Sequence, residues 1–205
     1  MSNHKRLHVI CCGILKREVQ KLVNENSLDV KLHFLDAGLH VDYDELEKVL
    51  TSAIEVCSKH GAKGIVVVYG DLCHPKIKKI VGKYDNSVKV DALNCIDCLL
   101  GGYGKLSQID PNSDYFYLSP GWMPSNVEKN ENFRQVFDWN QKEIKSLFRD
   151  LKGIILIDSL GNLDEFESDI EKFRSNTGLE VTKKKEVGIH GLKAVLLEAI
   201  KKLEK

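Results

Sequence analysis

Apolar residues fall along the chain as short unbroken runs that alternate with stripes of helical period. The run Leu7–Cys12, closed by Gly13, predicts a buried parallel strand, and Gly153–Asp158 another buried one; Gly64–Tyr69 is the strongest strand, Val30–Leu35 and Val88–Leu93 read as further strands, and Tyr115–Leu118 as a short aromatic one. Between them, Ile14–Asn24 carries Leu15, Val19, Leu22 and Val23 on one helical face. Asp44–His60 is the clearest helix, with Leu46, Val49, Leu50, Ala53, Ile54 and Cys57 in one stripe and Gly61 to end it. Further helices are predicted from Pro75 to about Tyr84, at Ile96–Leu100, over most of Asn130–Leu151, and at Leu163–Ser175 and Leu192–Leu203. Glu180–Glu186 predicts an edge strand whose lysines discourage further pairing. Gly101–Asn130 is the main irregular stretch, and is expected to close over a rim site with Trp122 walling off water. Alternating strands and helices predict one α/β domain over residues 1–205, a layered and mostly parallel sheet with helices on both faces.

Composition narrows the class of partner. Thirty Lys and Arg balance thirty Asp and Glu, for a net charge of zero. A broad electrostatic surface for nucleic acid is therefore not expected. No apolar run approaches the roughly 18 residues of a membrane span, and the basic start Met1–Arg6 lacks the apolar stretch and cleavage site of a signal peptide. A cytoplasmic protein is expected. In that compartment the six cysteines point to metal binding, thiol redox chemistry or packing rather than to structural disulfides.

Ligands of open α/β sheets bind beyond the carboxyl ends of the strands. The residues following the predicted strands are Cys11-Cys12-Gly13, then Asp36 to His40, Tyr69-Gly70-Asp71-Leu72-Cys73-His74, Asn94-Cys95-Ile96-Asp97-Cys98, Ser119-Pro120-Gly121-Trp122 and Asp158-Ser159. Five cysteines thus fall at one rim. Cys57 lies elsewhere, on the apolar face of its helix, and is expected in the core. Thiolates from three strand ends converge on one centre, and soft sulfur donors select zinc, copper(I) or iron–sulfur clusters. Cys12, Cys73 and Cys95 suit a [4Fe-4S] cluster with one iron open, or zinc with His40 or His74 as fourth ligand. Cys12 is preferred to Cys11 because adjacent strand residues point to opposite faces.

Cys95-x-x-Cys98 alone reads as a thiol–disulfide pair. Glu18 is a candidate acid or base; with Arg17 and His40 it is expected to surround the metal or hold substrate. Tyr69-Gly70 lets backbone approach a ligand, and Trp122 covers a flat one. Phosphate-loop, nucleophile-elbow and HExxH signatures are missing from the sequence.

The rim motifs together resemble an uncharacterised family of anaerobic archaea and bacteria, domain of unknown function 1638. The resemblance runs over nearly the whole chain. It rests on Cys12-Gly13 with Leu15-Lys16-Arg17-Glu18, Leu39-His40, Tyr69-Gly70 with Cys73, Cys95-Ile96 with Leu99-Leu100-Gly101, then Tyr117, Pro120-Gly121-Trp122 and Asp158. It implies a role near anaerobic one-carbon metabolism, in methanogens and acetogens, beside corrinoid methyltransferase systems; the open site of a three-cysteine centre is what points to a small-molecule substrate. An accessory or metal-carrier role for such a system is the rival expectation.

Overall fold

The computed structural model describes residues 6–26, 28–123 and 141–204. Four parallel strands, β1 (Leu7–Cys12), β2 (Val30–Leu35), β3 (Gly64–Val68) and β4 (Ser87–Lys89), pair in the order β2-β1-β3-β4. The central pair β1 and β3 is buried on both faces, which is why both read as unbroken apolar runs. The edge strand β2 interleaves Lys31 and His33 with its apolar residues and is half-buried.

Helices α1 (Lys16–Glu25) and α2 (Tyr43–Lys59) connect the first three strands. Asp42 caps α2, its Oδ1 accepting from the Glu45 amide at 2.9 Å, and Asp44 and Glu45 favour the positive end of the helix. The α2 stripe Leu46, Leu50, Ile54 and Cys57 is buried against the sheet, each aliphatic side chain contributing about 1.5–3 kcal/mol. The chain then continues through α3 (Ile77–Val81), β4, α4 (Cys95–Leu100) and α5 (Lys105–Ile109). A second parallel sheet follows, β5 (Tyr115–Leu118), β6 (Gly153–Asp158) and β7 (Val181–Glu186), ordered β5-β6-β7, with helices α6 (Gln141–Phe148) and α7 (Glu167–Thr177). Finally α8 (His190–Leu203) returns to the first sheet and packs on β3, β4, α1 and α4, while α2 and α3 cover the other face.

The α/β class and the helices on both faces are as expected, but the strands divide between two sheets where a single sheet is expected. Strand β4 stops at Lys89 rather than Leu93, because Ala92 and Leu93 give their carbonyls to the Asp71 and Leu72 amides of a turn. Helix α3 is likewise shorter than the Pro75–Tyr84 prediction, and the predicted helix at Leu163–Ser175 opens as a 3-10 turn before α7. The irregular stretch contains α5 as well as β5; its residues 124–130, and the start of the predicted Asn130–Leu151 helix, lie outside the described residues.

Strand β6 joins the two halves of the core by its period of two. Ile155 and Ile157 pack into the cluster of the first sheet, and Ile154 and Leu156 into a second with Leu118, Leu163, Phe166 and Phe173. The second junction is a backbone contact. After β5 the turn Pro120–Trp122 lies so close to the turn Gly13–Leu15 that a Cβ on Gly121 would stand 1.8 Å from the Ile14 carbonyl oxygen. Gly121→Ala is therefore expected to cost about 3 kcal/mol in urea unfolding. A loss below about 1 kcal/mol would show that the turn backs away freely.

Candidate metal centre

The strand order 2-1-3-4 reverses direction between β1 and β3, and their carboxyl ends diverge there to leave a crevice. Cys12 is the last residue of β1, and Tyr69-Gly70 follows β3. The turn Asp71–Cys73 is pinned to the chain leaving β4 by the Asp71 and Leu72 amides, which donate to Ala92 and Leu93 at 2.9 and 2.8 Å. That crossing explains Gly70: a Cβ there would lie 2.3 Å from the Leu93 carbonyl group. The close approach expected toward a ligand is thus made to a neighbouring loop.

Asn94 caps α4, accepting from the Asp97 amide at 2.9 Å, and sets Cys95 at the helix start. Asp97 is fully buried and accepts from the Leu93, Gly104 and Leu106 amides at 3.1, 3.0 and 2.7 Å, so one carboxylate fastens the loops on both sides of the Cys95–Cys98 helix. Sequence reading gave Asp97 no role. The asparagine three residues before it, a cap signal, marks its amide but not its carboxylate.

These loops enclose a small void lined by Cys12, Leu15, His40, Val68, Tyr69, Gly70, Cys73, Cys95 and Cys98, with no room for a water molecule. Cys12, Cys73 and Cys95, arriving from three strand ends, meet here; Cys98 joins them from the next turn of α4. Cys11 lies on the opposite face of β1, its thiol donating to the Cys12 carbonyl at 3.3 Å. His40 reaches in from the turn after β2 and places Nε2 3.0 Å from Cys12 Sγ. Trp122 lies above, its ring centroid 5.8 Å from that of His40 and its side chain within hydrogen-bonding reach of Cys95. Tyr69 is buried beside Cys12, yet its hydroxyl has no partner of full hydrogen-bond geometry.

Water exclusion sets the electrostatics. Burial above all holds the Cys12 thiol well above its ordinary range, with Cys95 and Cys73 adding to it. The same effect pushes Cys95 up to about 12 and raises Cys73 and Cys98. Burial also lowers His40 to about 4, so Cys12 and His40 meet as a neutral thiol and a neutral imidazole. The nearby ammonium of Lys89 is taken up by Asp71 at 2.7 Å. Thiols kept protonated in this way are poor nucleophiles, which weighs against the Cys95–Cys98 exchange reading.

Three other expected residues stand outside the void. Arg17 lies toward the surface, 3.7 Å from Glu165 and 5.8 Å over the Phe166 ring, and does not line the void. Glu18 is buried behind the site, where its Oε1 accepts from Ser159 Oγ at 2.7 Å and ties α1 to the end of β6. His74 is buried but turned away: its Nδ1 accepts from the Lys76 amide at 3.1 Å and its Nε2 faces Glu47 at 3.7 Å.

Beyond Cys95 and Trp122 lies a larger apolar cavity of about 480 Å³, walled by Phe116, Leu118, Phe148 and Phe173. The sequence signature of the family described as "Protein of unknown function (DUF1638)" matches residues 34–196. The chain belongs to this family. The match takes in every cysteine of the void except Cys12. A search of curated proteins finds no match. Among solved structures, the trehalose repressor from Escherichia coli aligns over 98% of this chain and 94% of its own, at 7% identity and a TM-score of 0.46.

Glu18 supplies a pH test of the packing behind the site. Burial raises its pKa above the ordinary 4.5, with the Ser159 hydrogen bond opposing. The folded protein thus keeps this proton where the unfolded chain has released it, and stability falls as pH rises from 4.5 through the raised value. Glu18→Gln keeps an acceptor for Ser159 and is expected to stabilise the protein at neutral pH, with little effect below pH 4.5, by chemical denaturation at both pH values. An equal shift at both would remove the ionisation from the account.

Proposed function

We propose that Cys12, Cys73 and Cys95 hold a soft-metal centre, an iron–sulfur cluster rather than zinc, and that the protein acts on a small molecule there. The single observation that carries this reading is the collection of four thiols, an imidazole and an unpartnered tyrosine hydroxyl around one dry void. A metal ion displaces the protons of buried thiols and holds them as thiolates, and soft sulfur donors choose the metals that bind thiolate.

The spacing favours a cluster. A single zinc draws its sulfurs to about 3.8 Å of one another, given Zn–S bonds near 2.3 Å. Among the described residues, the group of three ligand atoms all within 4.8 Å of one another is His8, His33 and Cys57, so the rim thiols stand wider than one ion's shell. Cysteines of a cluster bind irons at different corners and stand farther apart.

When bound, a cluster with three cysteine ligands supplies an open iron for coordinating or reducing a substrate. The chain's own residues then shape the surroundings. His40 orients Cys12, the Tyr69 hydroxyl is left to donate to a group bound beside Cys12, and Trp122 keeps water from Cys95. The cavity beyond Trp122 suits a substrate with an apolar body. A cytoplasmic location belongs to this reading; no described helix is long and apolar enough to cross a membrane. Anaerobic one-carbon metabolism beside a corrinoid methyltransferase is the setting carried over from the family resemblance.

Anaerobic reconstitution with iron and sulfide is expected to give a brown protein of about four irons. Cys12→Ser, Cys73→Ser and Cys95→Ser should each lose most of the iron, and Cys98→Ser should keep it. Equal loss in Cys98→Ser would make the centre fully cysteine-ligated and remove the open iron; one zinc and no iron would overturn the cluster.

A further inference from the structure

A second set of metal donors lies inside the first sheet, away from the cysteine rim. His8 is the second residue of β1, and His33 the fourth of β2. The strands pair in register with His8 opposite Lys31 and Ile10 opposite His33, so both histidines face the same side. That side is covered by α2, whose stripe ends in Cys57. His33 Nε2 lies 3.1 Å from His8 Nδ1, and the rings stack with centroids 4.9 Å apart. Cys57 Sγ and one ring nitrogen from each histidine form a group whose three atoms all lie within 4.8 Å of one another. His8 is 6% exposed and Cys57 1%.

From these donors we infer a metal site of two imidazoles and one thiolate on His8, His33 and Cys57, which takes copper(I). The geometry is near what an ion requires. Metal–nitrogen bonds of about 2.0–2.1 Å and metal–sulfur bonds of about 2.3 Å put neighbouring donors roughly 3.4–3.8 Å apart, so shifts of under about 1 Å assemble the site. Two nitrogens and a sulfur also suit a soft ion in trigonal geometry.

Charge selects the ion. Among the described residues, the charged and titratable groups that bear on these three are Lys31 and His60, with no carboxylate among them. A divalent ion with one thiolate would leave a buried positive charge beside the Lys31 ammonium. Copper(I) with one thiolate and two neutral imidazoles is neutral, and avoids that cost. On binding, the Cys57 thiol proton leaves to solvent and the proton shared between the imidazoles shifts to the other nitrogen of its ring, so that hydrogen bond gives way to the ion and the apo arrangement is a preassembled core contact.

The site is read by anaerobic titration with copper(I), buffered by a chromogenic chelator, on wild-type protein, Cys57→Ala and His33→Leu. Copper(I) bound at the cysteine rim is common to all three proteins and cancels in the comparison, so the result is independent of what the rim holds. Wild type is expected to take one equivalent more than either variant, and copper absorption-edge spectroscopy should assign that equivalent two nitrogen neighbours and one sulfur. His33 stands half-buried on an edge strand, so His33→Leu keeps the test readable if Cys57→Ala fails to fold. Equal copper(I) stoichiometry in wild type and a folded variant would leave His8, His33 and Cys57 as a core hydrogen-bond cluster and overturn the inference. A variant-dependent equivalent of zinc(II) with none of copper(I) would overturn the charge argument and with it the copper assignment.

Discussion

The approach of Gly121 to the Ile14 carbonyl is the contact on which the rim depends. It brings the turn leaving the second sheet onto the turn leaving β1, in a space that admits no side chain. Trp122, the next residue, is thereby held beside His40 and Cys95. The Glu18–Ser159 hydrogen bond fastens the same two regions from behind. Without this docking the switch point between β1 and β3 would lie open to water, and the thiols would titrate as ordinary surface cysteines.

Closure creates an electrostatic demand. Four sulfurs around a dry void repel one another as thiolates and persist as thiols, while the nearby ammonium, Lys89, is committed to Asp71. The proposed metal would meet that demand by replacing protons with a charge that binds several sulfurs at once. Asp97 and the Asp71–Ala92 crossing hold the loops in place by backbone hydrogen bonds rather than by the cysteines, so the frame of the site stands without metal.

Much of the fold was legible because short apolar or alternating runs of four to six residues have few other uses. Leu7–Cys12, Val30–Leu35, Tyr115–Leu118 and Gly153–Asp158 match the observed strands residue for residue. The division into two sheets was not legible. It turns on β4 and β5 failing to pair, and no residue in either strand announces that. The meeting of Cys12, Cys73 and Cys95 followed from the rule that strand ends share one rim. Arg17 and Glu18 show the limit of that rule, since the first turn of a helix offers both a surface side and a buried side, and these two residues divide between them. The His8–His33–Cys57 group was hidden for another reason. Its members are 25 and 24 residues apart, and only the strand register and the facing helix bring them together.

The central claim is that the rim thiols bind metal as a cluster with one iron not held by cysteine. Mössbauer spectroscopy of wild-type protein, reconstituted anaerobically with iron-57 and given a small coordinating ligand such as cyanide, tests this most directly. The account predicts a [4Fe-4S] spectrum in which one of the four irons changes its parameters when the ligand is added. A spectrum of adventitious ferrous iron, or a cluster whose irons all ignore the ligand, would contradict it.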